Sequence, residues 1–173
     1  MSAPGWFEEI GIPRDCVFQR SSARERGRSF SITPQRGDEI WCVRVDGCWL
    51  QDDTGKRVDY LFWGQSAAGS RLILLVELKG QDFGTALEQI ESTLGRFCKE
   101  ADGDTVHTGD HRASPGHDAH RSGGVRAFVV LSKGRGVPQY TRKREALRRK
   151  YGVVVYHHER KFEAHGLDSL PGR

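Results

Sequence analysis

The chain reads as an α/β protein built on one mixed β-sheet. Three observations predict this. The run RLILLVELK at residues 71–79 is almost continuously apolar, as a central strand buried on both faces requires. The segments ahead of it are strand-like and joined by short turns, and those after it alternate between helical and strand patterning. The predicted order is strand, strand, strand, helix, strand, helix, strand, with hairpin connections first and crossovers later.

EIWCVRVDGCWL at residues 39–50 comes close to alternation, with Asp46-Gly47 offering a turn or bulge, so it reads as a strand or a bent pair. RVDYLFW at residues 57–63 is the next strand, with Val58 and Tyr60 on one side of the pleat and Asp59 and Leu61 on the other. Gly64 ends it, and residues 66–70 supply a hairpin loop leading into the central strand. Gly80 breaks that strand. Thr85 and Glu88 then have the form of a capping box, opening a helix expected to run to about Lys99. Ala86, Ile90, Thr93, Leu94 and Phe97 recur at helical spacing, and Gln89 flanks the stripe. Residues 101–124 hold almost nothing to bury and read as a long mobile loop. VRAFVVLS at residues 125–132 is a strand, residues 141–151 form a basic helix ended by Gly152, and residues 153–157 form a final strand.

At 173 residues the chain suits one domain spanning 1–173. No apolar run exceeds that of residues 72–76, far short of the ~20 needed to cross a bilayer. The N-terminus lacks the basic-then-apolar order of a secretory signal. A soluble, cytoplasmic protein with no membrane partner is expected. Cys16, Cys42, Cys48 and Cys98 show neither a CxxC pair nor zinc-finger spacing, and are read as reduced, mostly buried thiols. The net charge of +4 is mild but clustered: Arg14, Arg20, Arg24, Arg26 and Arg28 in one segment, and Arg142, Lys143, Arg144, Arg148, Arg149 and Lys150 in another. The second cluster suits phosphate contact, through Arg142, Lys143, Arg148 and Arg149 above all, and also suits the solvated face of an ordinary helix. His107, His111, His117 and His120 share the polar loop with Asp104, Asp110 and Asp118, but match no rigid metal site and read as linker. Trp41, Trp49, Phe62 and Trp63 read as packing within the sheet.

The chemistry concentrates where the hairpin closes. Glu77 and Lys79 are two residues apart on one strand and share a face. If residues 57–63 and 71–79 pair antiparallel around the loop, Asp59 falls opposite Glu77. Facing carboxylates repel unless a cation lies between them, and oxygen ligands favour a hard divalent ion. Lys79 adds a positive charge able to meet a phosphate or hold a water. A strand leaving a core often ends in charges, so Glu-x-Lys alone says little. The facing Asp59, the buried strand before the motif, and Gly80 and the Gln89-bearing helix after it make the set specific.

VDYLFWGQSAAGSRLILLVELKGQDFGTALEQIESTL resembles the core of the PD-(D/E)XK nucleases, especially compact bacterial members reading roughly CDYLF, VELKG and AIEQL. The resemblance implies a restriction-endonuclease-like three-layer core, a mixed β-sheet flanked by helices. It also implies a metal-dependent hydrolase cutting phosphodiester bonds, with DNA as the partner and Mg²⁺ or Mn²⁺ as cofactor. Asp59 and Glu77 would be metal ligands together with the Leu78 carbonyl, Lys79 the catalytic lysine, and Gln89 the helix glutamine of the RecB-like branch. Many members add an N-terminal glutamate. Glu8, Glu9 and Glu25 are candidates, Glu25 the weakest because Arg24 and Arg26 suggest a solvated segment. A second reading keeps the fold as a catalytically silent nucleic-acid-binding or protein-interaction subunit, in a homo-oligomer or a larger defence or repair assembly.

Overall fold

A computed structural model describes residues 3–51, 55–102, 124–133 and 137–171; side chains are described within these except at 97–102, 137 and 138. A short helix α1 (Trp6–Glu9) leads into strands β1 (Val17–Phe18), β2 (Ser22–Glu25), β3 (Arg28–Thr33) and β4 (Glu39–Arg44). Then come β5 (Tyr60–Gln65), β6 (Arg71–Lys79), helix α2 (Phe83–Asp102), β7 (Val125–Leu131), helix α3 (Thr141–Tyr151), β8 (Val154–Glu159) and β9 (Lys161–His165). The fold is mixed α/β. One six-stranded sheet runs in the order β1-β4-β5-β6-β7-β8, antiparallel from β1 to β6 and parallel from β6 to β8. Hairpins come first and crossovers later, as the sequence predicts.

β6 is the middle of this sheet because its sequence can be buried on both faces. Ile73 and Leu75 pack toward the helices with Phe83, Ala86, Leu87, Ile90 and Leu94, while Leu72, Leu74, Val76 and Leu78 pack on the opposite face. Among the described residues, helices α2 and α3 lie on the first of these faces. The other face is covered by a second sheet, β2-β3-β9, in which β2 pairs antiparallel and β9 parallel to β3. Phe30 of β3 ties the two sheets together, with ring centroids 5.1 Å from Phe62 and 5.3 Å from Phe128, and stacks on Phe162 of its own sheet at 5.1 Å. Such aromatic contacts each add about 1 kcal/mol beyond the area they bury.

Several expected details shift. β5 begins at Tyr60 and runs through Gly64 to Gln65, so Asp59 sits in the bend just before the strand. Gly64 continues the strand because Leu167 packs where its side chain would be; a Cβ there would lie 2.7 Å from Leu167 Cδ2. The cap of α2 is Asp82, whose Oδ1 accepts the Thr85 N–H at 2.9 Å and whose Oδ2 accepts the Thr85 hydroxyl. Thr85 therefore lies inside the first turn, and Glu88 has another use. Ala86, Ile90, Thr93 and Leu94 are buried as predicted, while the Phe97 side chain lies outside the described residues. Helix α3 has the predicted bounds and ends at Gly152, left-handed at φ 68°.

Cys16 and Cys48 form a disulfide with Cα atoms 5.6 Å apart, which corrects the reading of these two as thiols. Cys42 is free and buried; the Cys98 side chain lies outside the described residues. The pairing of β1 with β4, Val17 opposite Val43, brings the two half-cystines together. Disulfides persist in oxidising compartments, so cysteine usage gives no support to a reducing one. No helix among the described residues is long and apolar enough to cross a membrane. Trp41 and Trp63 are core residues, and Trp49 packs partly buried against the same cluster. Residues 103–123, which contain the predicted loop and its histidines, lie outside the described residues.

Candidate active site

The site forms where β5 begins and β6 ends. Antiparallel pairing sets Tyr60 opposite Val76 and Leu61 opposite Leu75. One residue further, the same register carries Asp59 to Glu77, as the sequence predicts. The backbone N–H of Asp59 donates to Glu77 Oε2 at 3.1 Å, and the N–H of Leu78 donates to Asp59 Oδ2 at 2.7 Å. In an extended chain the N–H and C=O of one residue leave the same edge, so the Leu78 carbonyl faces the edge on which Asp59 sits. Lys79 Nζ is 3.8 Å from Glu77 Oε1.

Helix α2 closes the floor. Thr93 Oγ1 accepts the Val58 N–H at 3.0 Å and donates to the Gln89 carbonyl at 2.8 Å. Gln89 Nε2 donates to the Arg57 carbonyl at 2.7 Å. Together these bonds clamp residues 57 and 58 against the helix and so aim the bend that carries Asp59. Gln89 Oε1 is buried without a partner among the described residues. Gln89 thus reaches the site, holding the backbone behind Asp59 and lying near enough to Glu77 to favour its charged form.

The electrostatics are those of a carboxylate pair short of positive charge. Glu77 is only 1% exposed. Burial first, then the nearby Asp59, pushes its carboxyl up to about 8, against the weaker pull of Lys79. Burial also pushes Asp59 up to about 6; the Leu78 N–H opposes this, while Glu25 and Asp46 add to it. Burial penalises the charged form, and a like charge nearby penalises it again.

Beside Asp59 opens a cleft of about 330 Å³ lined by Phe18, Arg20, Glu25, Arg44, Asp46, Asp59 and Tyr60. Of the three N-terminal glutamates, Glu25 is the one the fold brings here, although its neighbours argued against it. Glu8 pairs with Arg14 on the surface, and Glu9 is exposed. Glu25 lines the cleft from the end of β2, half-exposed, on a hairpin whose alternation buries Ala23 and Arg28. Asp46, missed as a site residue, reaches the cleft from the turn after β4 and pairs with Arg57 at 2.9 Å. Its Asp-Gly turn signal marked a bend but could not mark where the bend would point.

Arg142, Lys143, Arg148 and Arg149 are not brought to this cleft. They lie on α3, which packs on α2 and on the edge strand β8. Arg142, Arg148 and Arg149 are exposed, while Lys143 donates to Glu88 Oε1 at 3.1 Å.

Two carboxylates and a strand-edge carbonyl fit a hard divalent cation. Each carboxylate commits one oxygen to a backbone N–H, leaving Asp59 Oδ1 and Glu77 Oε1, and such ions accept few protein ligands and retain waters. Among the described residues no cluster of three or more His, Cys, Asp or Glu side chains stands at metal-binding distances, so this is a two-carboxylate arrangement. No protein-family profile, curated protein or solved structure matches the chain.

Proposed function

We propose that the chain is a metal-dependent nuclease of the PD-(D/E)XK type, with a restriction-endonuclease-like core, hydrolysing phosphodiester bonds in DNA. The observation that carries this reading is the meeting of Asp59 and Glu77 across the β5–β6 register, with Lys79 3.8 Å from Glu77. A buried carboxylate pair is costly to keep unless a cation joins it, and no ordinary structural role calls for one here.

Asp59, Glu77 and the Leu78 carbonyl would hold Mg²⁺ or Mn²⁺, which when bound supplies a Lewis acid for the phosphoryl oxygens and lowers the pKa of a water. The chain's own groups do the rest. Gln89 and Thr93 fix the bend at residues 57–59, so that Asp59 is held in place before substrate arrives. Lys79, about one-third exposed, is anchored by its stem on the central strand and keeps its ammonium at the mouth of the site, where charge develops on the phosphate during cleavage.

Removing Lys79 is the test. Incubation with linear, circular and single-stranded DNA and with RNA, each with Mg²⁺, Mn²⁺ or EDTA, should give metal-dependent cutting of DNA by the wild type. Lys79→Ala should cut at least about a hundredfold more slowly while retaining most of its DNA affinity, because it loses a contact made chiefly in the transition state. Absence of cutting with either metal would remove the enzyme reading and leave the binding subunit as its replacement.

A further inference from the structure

Arg28, the first residue of β3, is a buried cation that the carboxylate site does not use. It is 7% exposed, and its Nε is sealed from solvent with no acceptor. The guanidinium makes one hydrogen bond, from Nη1 to the Ser132 hydroxyl at 3.1 Å, and has no carboxylate partner among the described residues. Glu25 is its cross-strand partner, but its carboxylate turns to Arg26, 3.8 Å from that side chain's Nε. A neutral hydroxyl does not compensate a buried guanidinium, so a full positive charge is held with no counter-charge among the described residues.

The placement is specific. β2 and β3 are joined by a two-residue turn, Arg26 and Gly27, with φ of 42° and 78°. This tight reversal with both central residues left-handed matches the twist of a hairpin. It projects the hairpin tip over the ends of β6 and β7, where Gly80 follows Lys79 and the Ser132 N–H bonds the Gly80 carbonyl at 2.6 Å. Gly80 lies against the guanidinium: apart from its chain neighbours, the one heavy atom among the described residues within 4 Å of the position a Cβ would take is Arg28 Nη1, at the ordinary contact distance of 3.7 Å. A buried cation, a hydroxyl and a glycine that adds no side chain of its own thus adjoin at the strand end that carries Lys79.

The geometry points to an anion site for a phosphate group, formed by Arg28 and Ser132 around Gly80. On the nuclease reading, on which this assignment of the ligand rests, the group is a phosphodiester of the bound strand next to the one being cut. A tetrahedral oxyanion suits the site because a guanidinium presents several N–H donors in one plane, and a phosphate oxygen also accepts from a hydroxyl. Arg28 is a binding residue in this assignment; the charge that meets the reacting phosphate is that of Lys79.

The test uses inorganic phosphate in EDTA, with sodium chloride at matched ionic strength as control. Phosphate should raise the melting temperature of the wild type above the chloride control, since a ligand that binds only the folded state stabilises it. Arg28→Gln should melt at or above the wild type in chloride, having lost an uncompensated charge, and should show no phosphate response. Gly80→Val keeps the Arg28 and Ser132 side chains and sets a branched side chain against the guanidinium, so it tests the site even if Arg28→Gln does not fold; its phosphate response should be lost as well. An unchanged phosphate response in either variant would overturn the assignment. Metal-dependent cutting with no phosphate response in the wild type would overturn the anion site and leave the nuclease standing. A phosphate response that Arg28→Gln abolishes, in a protein that cuts nothing, would do the reverse.

Discussion

Glu77 and Glu88 are both glutamates with lysines beside them, yet their surroundings act in opposite directions. Glu77, at the end of β6, is sealed from water, faces another carboxylate and has one lysine 3.8 Å away. Its carboxyl is pushed up to about 8. Glu88, on the outer surface of α2, takes hydrogen bonds from both Lys56 and Lys143, which hold its carboxyl below the usual range. On the helical surface, charge is matched within the chain. At the sheet end it is not, and the imbalance is concentrated on the residues that the register brings together. On the proposed reading, the balance at the sheet end comes from a bound cation.

The sharpest way to break this comparison is to titrate a cation into the unmatched region. Isothermal calorimetry with Mn²⁺ should show one site in the wild type and none in Asp59→Asn, since Asp59 Oδ1 and Glu77 Oε1 are the oxygens not committed to backbone N–H groups. Glu88→Gln should bind Mn²⁺ as the wild type does. Equal binding by wild type and Asp59→Asn would sever the link between unmatched charge and metal affinity.

A smaller effect follows from the raised carboxyls themselves. In EDTA, both Asp59 and Glu77 hold their protons more tightly in the folded chain than in the unfolded one. The stability this confers is fully present below about pH 4 and is lost as pH rises through about 6 and about 8. Glu77→Gln keeps the hydrogen-bonding shape without the titration. It should therefore gain on the wild type between pH 5 and pH 9, by roughly 2 kcal/mol or more, since each displaced pKa unit corresponds to ~1.4 kcal/mol. Thermal melts at pH 5, 7 and 9 read this directly, and saturating Mn²⁺ should remove most of the difference. A constant gap between wild type and variant across pH would mean that Glu77 is already ionised in the folded chain.

The site was legible in the sequence to the extent that it is local. Asp59, Glu77 and Lys79 belong to one hairpin, whose register follows from the loop length, and Gln89 lies in the second turn of the helix that follows it. What was not legible depends on distant contacts. β2 read as a solvated segment because Arg24 and Arg26 hide a short alternation, and β3 was not anticipated. Burial of Arg28, Phe30 and Ile32 is decided by β6 and β7, far along the chain. β9 was missed because its partner, β3, was missed, and the alternation of Phe162 and Ala164 is too short to identify it alone. The disulfide had no spacing motif, and only the β1–β4 pairing brings its ends together. Glu25 and Asp46 reach the cleft for the same reason, through strands whose placement no local pattern sets.

The matched surface offers the smallest effect and a finer test. If DNA runs along α3, the arginines not engaged by acidic residues should carry the electrostatic contact, and the lysine tied to Glu88 should carry less. Arg148 and Arg149 are exposed in the last turn of α3, and neither has an acidic partner among the described residues. Lys143 is held at 3.1 Å by Glu88, which Lys56 also engages. Each phosphate contact removed should flatten the dependence of log affinity on log salt by roughly 0.9 for a duplex. Arg148→Ala with Arg149→Ala should thus weaken binding at low salt and reduce the slope by up to about 2, with little effect on cleavage at saturating DNA. Lys143→Ala should change the slope much less, because its charge is already shared with Glu88. Equal slopes for the double arginine variant and the wild type would place the DNA path away from α3, along the cleft beside Asp59, where Arg20 and Arg44 are the cations on offer.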